Sequence, residues 1–296
     1  MSSGTLAANA ATPAPSDATR RWAELIAGAS LEIGPRDGFA GPALASLLER
    51  GREVFVSYPE SATHHGIVAA CARLQHAGFV PVPHVAARRL TSFTQARDFL
   101  RRAAGEAGVD EVLLIGGDPG RALGPFDSSL GLLSSGLVEA CGIRRIAIAG
   151  YPDGHPMIGM HVLEAALDNK VAVARQAGLR VRVVTQFGFD AAAIHRWIAG
   201  LRARGIDCPV CVGAAGPASV ATLAKFAVRC GVVGSLRALA RGHAAFARIL
   251  AETGPDALIR ALIAGEAPSM PLAGLHIFTF GGVRRTAEWL SAAATG

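Results

Sequence analysis

The chain has 296 residues, of which 51% are hydrophobic and 18% charged, so it can bury a large core and is neither disordered nor collagen-like. The formal net charge is +6, but lysine is nearly absent, the arginines are scattered and aromatics make up 6%. A nucleic-acid binder needs clustered basic residues interleaved with aromatics, so that class is excluded. No uninterrupted apolar run reaches the ~18 residues of a membrane span. The cysteines number 5, an odd count without a regular framework, which points to a reducing, cytoplasmic setting.

Residues 1–18 are rich in Ala, Ser, Thr and Pro and lack a charged start and an apolar h-region; they read as a disordered tail and not as a secretory signal. Residues 19–296 read as one domain. A short helix is predicted over 21–28, then a strand over 30–34 with a carboxylate, Glu32, inside it. A helix over 44–50 leads to a strand over 53–57, and a helix over 62–75 to a strand over 79–85. Thr91 is placed to cap a helix over 91–104. The fourth strand spans 110–115 and runs into the loop Gly116-Gly-Asp-Pro-Gly120, followed by a helix over 128–141. The fifth strand, 145–149, precedes a helix over 158–176. Strand 180–185, helix 191–204, strand 209–212 and helix 218–230 follow, then extra helices over 235–264. A strand over 275–280 and a helix over 284–292 close the chain.

Eight short strands, each followed by a helix, give a (β/α)8 TIM barrel with extra helices before the eighth strand. The competing doubly wound sheet would carry a GxGxxG turn after its first strand, and none is present.

Barrel sites are built from strand C-termini and the loops that follow. Glu32, Ser57, His64, His84, Asp118, Tyr151, His155 and Gln186 fall there. An acid between Leu31 and Ile33 is expected to be desolvated, which raises its pKa and suits it to general acid work. His64-His65, His84, His155 and His161 raise the question of a metal. No HxH lies on the first strand and the acids show no ligand spacing, so no metal is expected. Gly213-Ala-Ala-Gly-Pro-Ala-Ser219 opens a helix, where backbone N–H groups could hold an anion. Cys208-Pro-Val-Cys211 has CxxC spacing without a second ligand pair, and reads as buried thiols.

Several segments, in order, resemble the methylenetetrahydrofolate reductase family over about residues 30–290: SLEIGP, VFVSYPE, VPHVAARRL, LLIGGDP, IAGYPDGHP, VVTQFGFD and GLHIFTF. YPxxHP followed by TQFxFD is the most specific pair. The resemblance implies a flavoenzyme that interconverts 5,10-methylenetetrahydrofolate and 5-methyltetrahydrofolate in one-carbon metabolism. FAD would carry the hydride, with NADH or NADPH as electron donor or acceptor. It puts Glu32 on the catalytic acid and Asp118 beside the flavin. It puts Ser57, Tyr58, His84, Tyr151, His155 and Lys170 on cofactor contacts, and Gln186 and Phe278 on folate contacts. Gly116 stands where the family has Arg, and Lys170 lies four residues upstream of the usual Lys, on a shared helix face.

Two other readings remain beside it. One is a lyase or aldolase, for which Lys170 and Lys225, both in predicted helices, are the only lysines. The other is a flavin-free folate-binding or partner-binding barrel. No nucleic-acid or membrane partner is expected, and a homo-oligomer is compatible with the sequence.

Overall fold

Alternation along short strands decides the architecture, because successive side chains point to opposite faces. In the computed structural model, residues 16–37, 42–117, 120–232, 254–267 and 269–295 are described. Eight strands pair in parallel and close in the order 1-2-3-4-5-6-7-8. They are β1 (Ser30–Ile33), β2 (Glu53–Val56), β3 (Val80–Ala86), β4 (Glu111–Ile115), β5 (Arg145–Gly150), β6 (Arg180–Phe187), β7 (Val210–Ala215) and β8 (Gly274–Phe278). The seam is β1 on β8, with Glu32 opposite Phe278 and Ser30 opposite His276. This is the expected (β/α)8 barrel.

The helices that matter below are α1 (Asp17–Ala27), α2 (Pro42–Ala45), α3 (His64–His76), α4 (Phe93–Ala107), α5 (Ser129–Ser134), α6 (Leu137–Ala140), α7 (Met160–Gln176), α8 (Ala191–Ala203), α9 (Val220–Cys230), α10 (Asp256–Ala264) and α11 (Val283–Ala293). Among the described residues no helix is long and apolar enough to cross a membrane.

Several boundaries differ from expectation, each for a local reason. Helix α1 begins inside the segment read as a tail, because Ser16 is extended and its side chain accepts from Thr19 N. Ser92, not Thr91, caps α4: its Oγ accepts from Gln95 N at 3.1 Å, while Gln95 Oε1 accepts from Thr91 N at 2.8 Å. The helix expected over 128–141 breaks into α5 and α6 at Gly136, whose φ of 74° a side chain would strain. The helix expected over 44–50 is the single turn α2. The first part of the helices expected over 235–264 lies outside the described residues, and α10 is its described remainder.

Each strand splits its side chains between two cores. Leu31, Ile33, Val54, Val56, Val112, Leu114, Ile146 and Ile148 face the helices and join the large outer core. Phe55, Val82, Leu113, Ala147, Val184 and Cys211 fill the barrel interior. Below this plug lies a charged base. Arg182 reaches Glu53 at 2.7 Å and Glu111 at 2.5 Å, and Arg145 reaches Glu111 at 3.3 Å. Pairing of this kind offsets the desolvation of buried charge. Above the plug the interior turns polar, and there the site lies.

Candidate functional site

A cavity of about 290 Å³ opens at the C-terminal ends of the strands, with Glu32, His84, Tyr151, Gln186, His276 and Phe278 in its wall. A larger groove of about 700 Å³ lies between α1 and α10, away from the strand ends. Its charged side chains are already engaged: Arg21 meets Glu266 at 2.6 Å, Asp17 pairs with Arg20, and the Arg260 guanidinium lies 4.6 Å over the Trp22 ring.

Glu32 sits on the floor because β1 alternates: Leu31 and Ile33 pack outward, and the residue between them faces the bore. Its backbone is pinned where Thr279 Oγ1 donates to the Glu32 carbonyl at 2.6 Å. The carboxylate lies between two imidazoles, with Oε2 3.3 Å from His84 Nε2 and 3.6 Å from His276 Nε2. Both contacts are of ion-pair length. Neither Nε2 makes a well-directed hydrogen bond to a protein atom.

The expected rise in the Glu32 pKa is not what this environment produces. Burial does push the carboxyl up, but His84 and His276 outweigh it and hold the group down at about 2. Desolvation is the only influence visible in β1 itself; the opposing imidazoles arrive from β3 and β8. Burial pushes His276 below the ordinary imidazole range, against the pull of Glu32.

His276 is a site residue not expected from the sequence. It is fully buried, its ring centroid lies 4.5 Å from that of Phe55 and 4.8 Å from that of Phe278, and its Nδ1 is 2.9 Å from Ser30 Oγ. Leu275-His276-Ile277 carried the signal: a polar residue between two apolar ones, two places before Phe278.

Gln186 lies where β6 loses register against β7, between Val184 and Phe187. A bulge of this kind re-aims side chains. Its Oε1 accepts from Phe187 N at 3.2 Å, and its NH2 has no protein partner among the described residues. Gly213 makes the arrangement fit, since a Cβ there would lie 2.3 Å from the Thr185 carbonyl oxygen.

Phe278 is one of a row of rings. It stacks on Phe280 with centroids 5.4 Å apart, and Phe280 stacks on Phe226 at 4.1 Å. Phe226 and Phe280 also line the cavity and were not anticipated. Tyr151 lines it too; burial raises its pKa, and its ring meets His155 edge-on at 5.5 Å. His155 lies further out, and burial lowers its pKa.

The remaining expected residues are elsewhere. Ser57 Oγ donates to the Ile33 carbonyl at 3.1 Å, a structural bond across the top of β1 and β2. Tyr58 packs edge-on against Phe99, with the Arg89 guanidinium 5.0 Å over its ring. Neither lines the cavity with Glu32. Lys170 is buried on the inner face of α7, outside the cavity wall, and makes no hydrogen bond or ion pair among the described residues. Burial lowers its pKa to about 8. Asp118 lies outside the described residues.

The first three residues of the loop expected to hold an anion, Gly213 to Ala215, are strand. Gly213 N donates to Thr185 Oγ1 at 2.8 Å and Gly216 N to the Phe278 carbonyl at 2.9 Å, so these donors are already used. Cys208 and Cys211 are free and buried, and burial raises both thiols. Among the described residues one grouping offers metal-ligand atoms within 4.8 Å of one another: His64, His65 and Asp98. The Arg102 guanidinium is bonded to His65 Nδ1, which sets a cation on a ligand atom, and the group is apart from Glu32.

No family model matches the chain. Among solved structures, the fold is similar to that of an uncharacterized protein from Clostridium thermocellum that binds two copies of 5-methyl-5,6,7,8-tetrahydrofolic acid. The two are 11% identical, with a TM-score of 0.51 over 93% of this chain and 96% of the other. At that identity the likeness establishes a shared barrel.

Proposed function

We propose that this barrel binds a reduced folate at the C-terminal cavity and exchanges hydride at its one-carbon unit, as a 5,10-methylenetetrahydrofolate reductase does. One observation carries the reading: a carboxylate flanked by two imidazoles, an amide with an unused NH2 and a row of aromatic rings share one cavity of about 290 Å³. A pterin is a flat heterocycle with an edge of alternating donors and acceptors. The rings supply a stacking wall, and the Gln186 amide matches that edge. The folate ligands of the C. thermocellum barrel support the same substrate class.

Conversion between the methylene and methyl forms requires a proton at a folate nitrogen when the imidazolidine ring opens. The Glu32–His84–His276 cluster would pass that proton to the ligand. Gln186 would orient the pterin, and the phenyl rings of Phe278 and Phe280 would exclude water from its faces.

For FAD the fit is carried by the β5–α7 side. Tyr151 borders the cavity and His155 adjoins it; Lys170, on the same side, is buried outside the cavity wall and makes no hydrogen bond or ion pair among the described residues. Bound there, FAD would supply hydride exchange with NADH or NADPH. Ser57 and Tyr58 lie outside the cavity wall.

A second reading, a flavin-free folate-binding barrel, is favoured by the cavity's size. About 290 Å³ is at the lower end for ligand pockets and suits one ring system better than two. The absorbance spectrum of the purified protein separates the two. Flavin bands that bleach on anaerobic addition of 5-methyltetrahydrofolate support the reductase. A colourless protein that takes up no added FAD yet binds 5-methyltetrahydrofolate supports the binding barrel. No binding of either ligand sinks both.

A further inference from the structure

The Ser30 hydroxyl has a single proton and two neighbours. It donates to the Leu275 carbonyl at 3.3 Å, and its oxygen lies 2.9 Å from His276 Nδ1. The Leu275 carbonyl can only accept, so a Ser30 proton directed to it leaves Ser30 to accept at the second contact, and Nδ1 then carries a hydrogen. The bond made by one imidazole nitrogen fixes the role of the other. The exchangeable position on His276 is therefore Nε2, which faces Glu32 Oε2 at 3.6 Å and has no well-directed partner. With Nδ1 holding its hydrogen, a second proton taken up by the ring lies at Nε2, between the ring and the Glu32 carboxylate.

We infer that Ser30, His276 and Glu32 form one proton-holding unit, in which Ser30 fixes the Nδ1–H form of His276 and leaves Nε2 to share a proton with Glu32. His276 is thus a positioning residue that acts through Glu32. Delivery runs in two steps. The Nε2–H bond of the imidazolium breaks as Glu32 Oε2–H forms. That bond then breaks as N–H forms on the ligand. His276 ends neutral, still donating from Nδ1 to Ser30, and the positive charge passes to the ligand. Delivery to a folate nitrogen rests on the function proposed above; the Nδ1–H form does not.

The charged and titratable groups around the ring belong to several strands. Glu32 faces it from β1, His84 from β3, and Arg182 from β6 lies beyond the Phe55 ring. Arg182 is itself held by Glu53 and Glu111, with the Cys211 thiol of β7 at 3.9 Å. Burial, His84 and Arg182 all weaken the ring's hold on its second proton, while Glu32 strengthens it. A loosely held proton is what a donor requires.

The test is a long-range 1H–15N spectrum of the full chain labelled with 15N-histidine, with the His276 signals assigned by their loss in His276→Asn. The neutral wild-type ring should show Nδ1–H and a bare Nε2. Ser30→Ala should move the ring toward the Nε2–H form, and Ser30→Thr should restore Nδ1–H. An Nε2–H ring in neutral wild type overturns the unit, and so does a tautomer unchanged in Ser30→Ala. Should Ser30→Ala fail to fold, the wild-type spectrum decides alone. Adding 5-methyltetrahydrofolate should move the Nε2 signal and leave Nδ1–H in place. Binding that leaves Nε2 unmoved overturns delivery. Absence of binding together with an Nδ1–H ring overturns the folate reading and upholds the unit.

Discussion

Glu32 Oε2 and His276 Nε2 face each other 3.6 Å apart across the β1–β8 seam, and His84 stands 3.3 Å away on the other side of the same oxygen. The contact depends on closure of the barrel, since the first and last strands bring the two residues together. Nothing local in either strand would create it.

This contact gives the protein a distinct acid limb. The Glu32 carboxyl is held at about 2 in the folded protein against 4.5 as its ordinary value. The folded state therefore binds fewer protons than the unfolded one between those values. The stabilisation is complete above pH 4.5 and is lost as pH falls through 2, with an upper estimate of ~3 kcal/mol. Glu32→Gln should be less stable at pH 6 and flatter between pH 4.5 and 2. Urea midpoints at pH 6, 4 and 2.5 measure both; an unchanged acid limb would show that the imidazoles do not hold the carboxylate.

The charged base should behave as a unit. Arg182→Leu leaves Glu111, which is 2% exposed, without its closest partner. A single break of a buried pair costs ~3–5 kcal/mol. Burial already raises the Glu111 pKa, and Arg182 opposes that rise. Without Arg182 the penalty should be greatest at alkaline pH and ease as acidification protonates Glu111. Arg182→Leu with Glu111→Leu should recover most of the loss. Thermal melts of the three proteins at pH 6 and 8 check this, and a double variant as unstable as the single would refute it.

Gly213→Ala tests the bulge that aims Gln186. The added methyl would meet the Thr185 oxygen at 2.3 Å and the Gln186 backbone at 2.9 Å, and backbone cannot yield as a side-chain tip does. Strain of this sort costs ~1–3 kcal/mol. Folate binding should weaken beyond what the lowered Tm explains, measured by titration well below the melting temperature. Loss of stability with unaltered affinity would show that Gln186 does not depend on this register.

How far the sequence could be read follows from which forces are local. Strands such as Ile146-Ala147-Ile148 declare themselves through β character and their flanking turns. β7 runs to Ala215, past the expected end at 212: Gly213-Ala214-Ala215 lacks β-branched residues, and its neighbours hold it through pairs such as Ala214 with Ile277. Glu32, His84, Tyr151, Gln186 and Phe278 were identified as site residues, and all line the cavity. β2 ends at Val56, one residue before Ser57 would point inward, and Tyr58 shares the outward parity of Val54 and Val56 and packs against the outer core. His276 was legible by alternation from Phe278 and passed over. The charge state of Glu32 was not legible, because it is set by residues that only barrel closure delivers.

Lys170 carries the last prediction, because its burial sets stability against binding. A buried ammonium that has no partner among the described residues is destabilising, and its pKa of about 8 lies below the ordinary 10.5. Below pH 8 the folded state bears the whole penalty; the penalty eases as pH rises from 8 toward 10.5, because only the unfolded state keeps the proton there. Lys170→Met should therefore be more stable than wild type at pH 7, by up to ~3 kcal/mol, with the gap closing above pH 10. If Lys170 holds a cofactor phosphate, added FAD should raise the wild-type Tm and leave that of Lys170→Met unmoved. Equal shifts in the two proteins would remove Lys170 from the cofactor site, and a methionine variant no more stable at pH 7 would show that the ammonium already has an anion beside it.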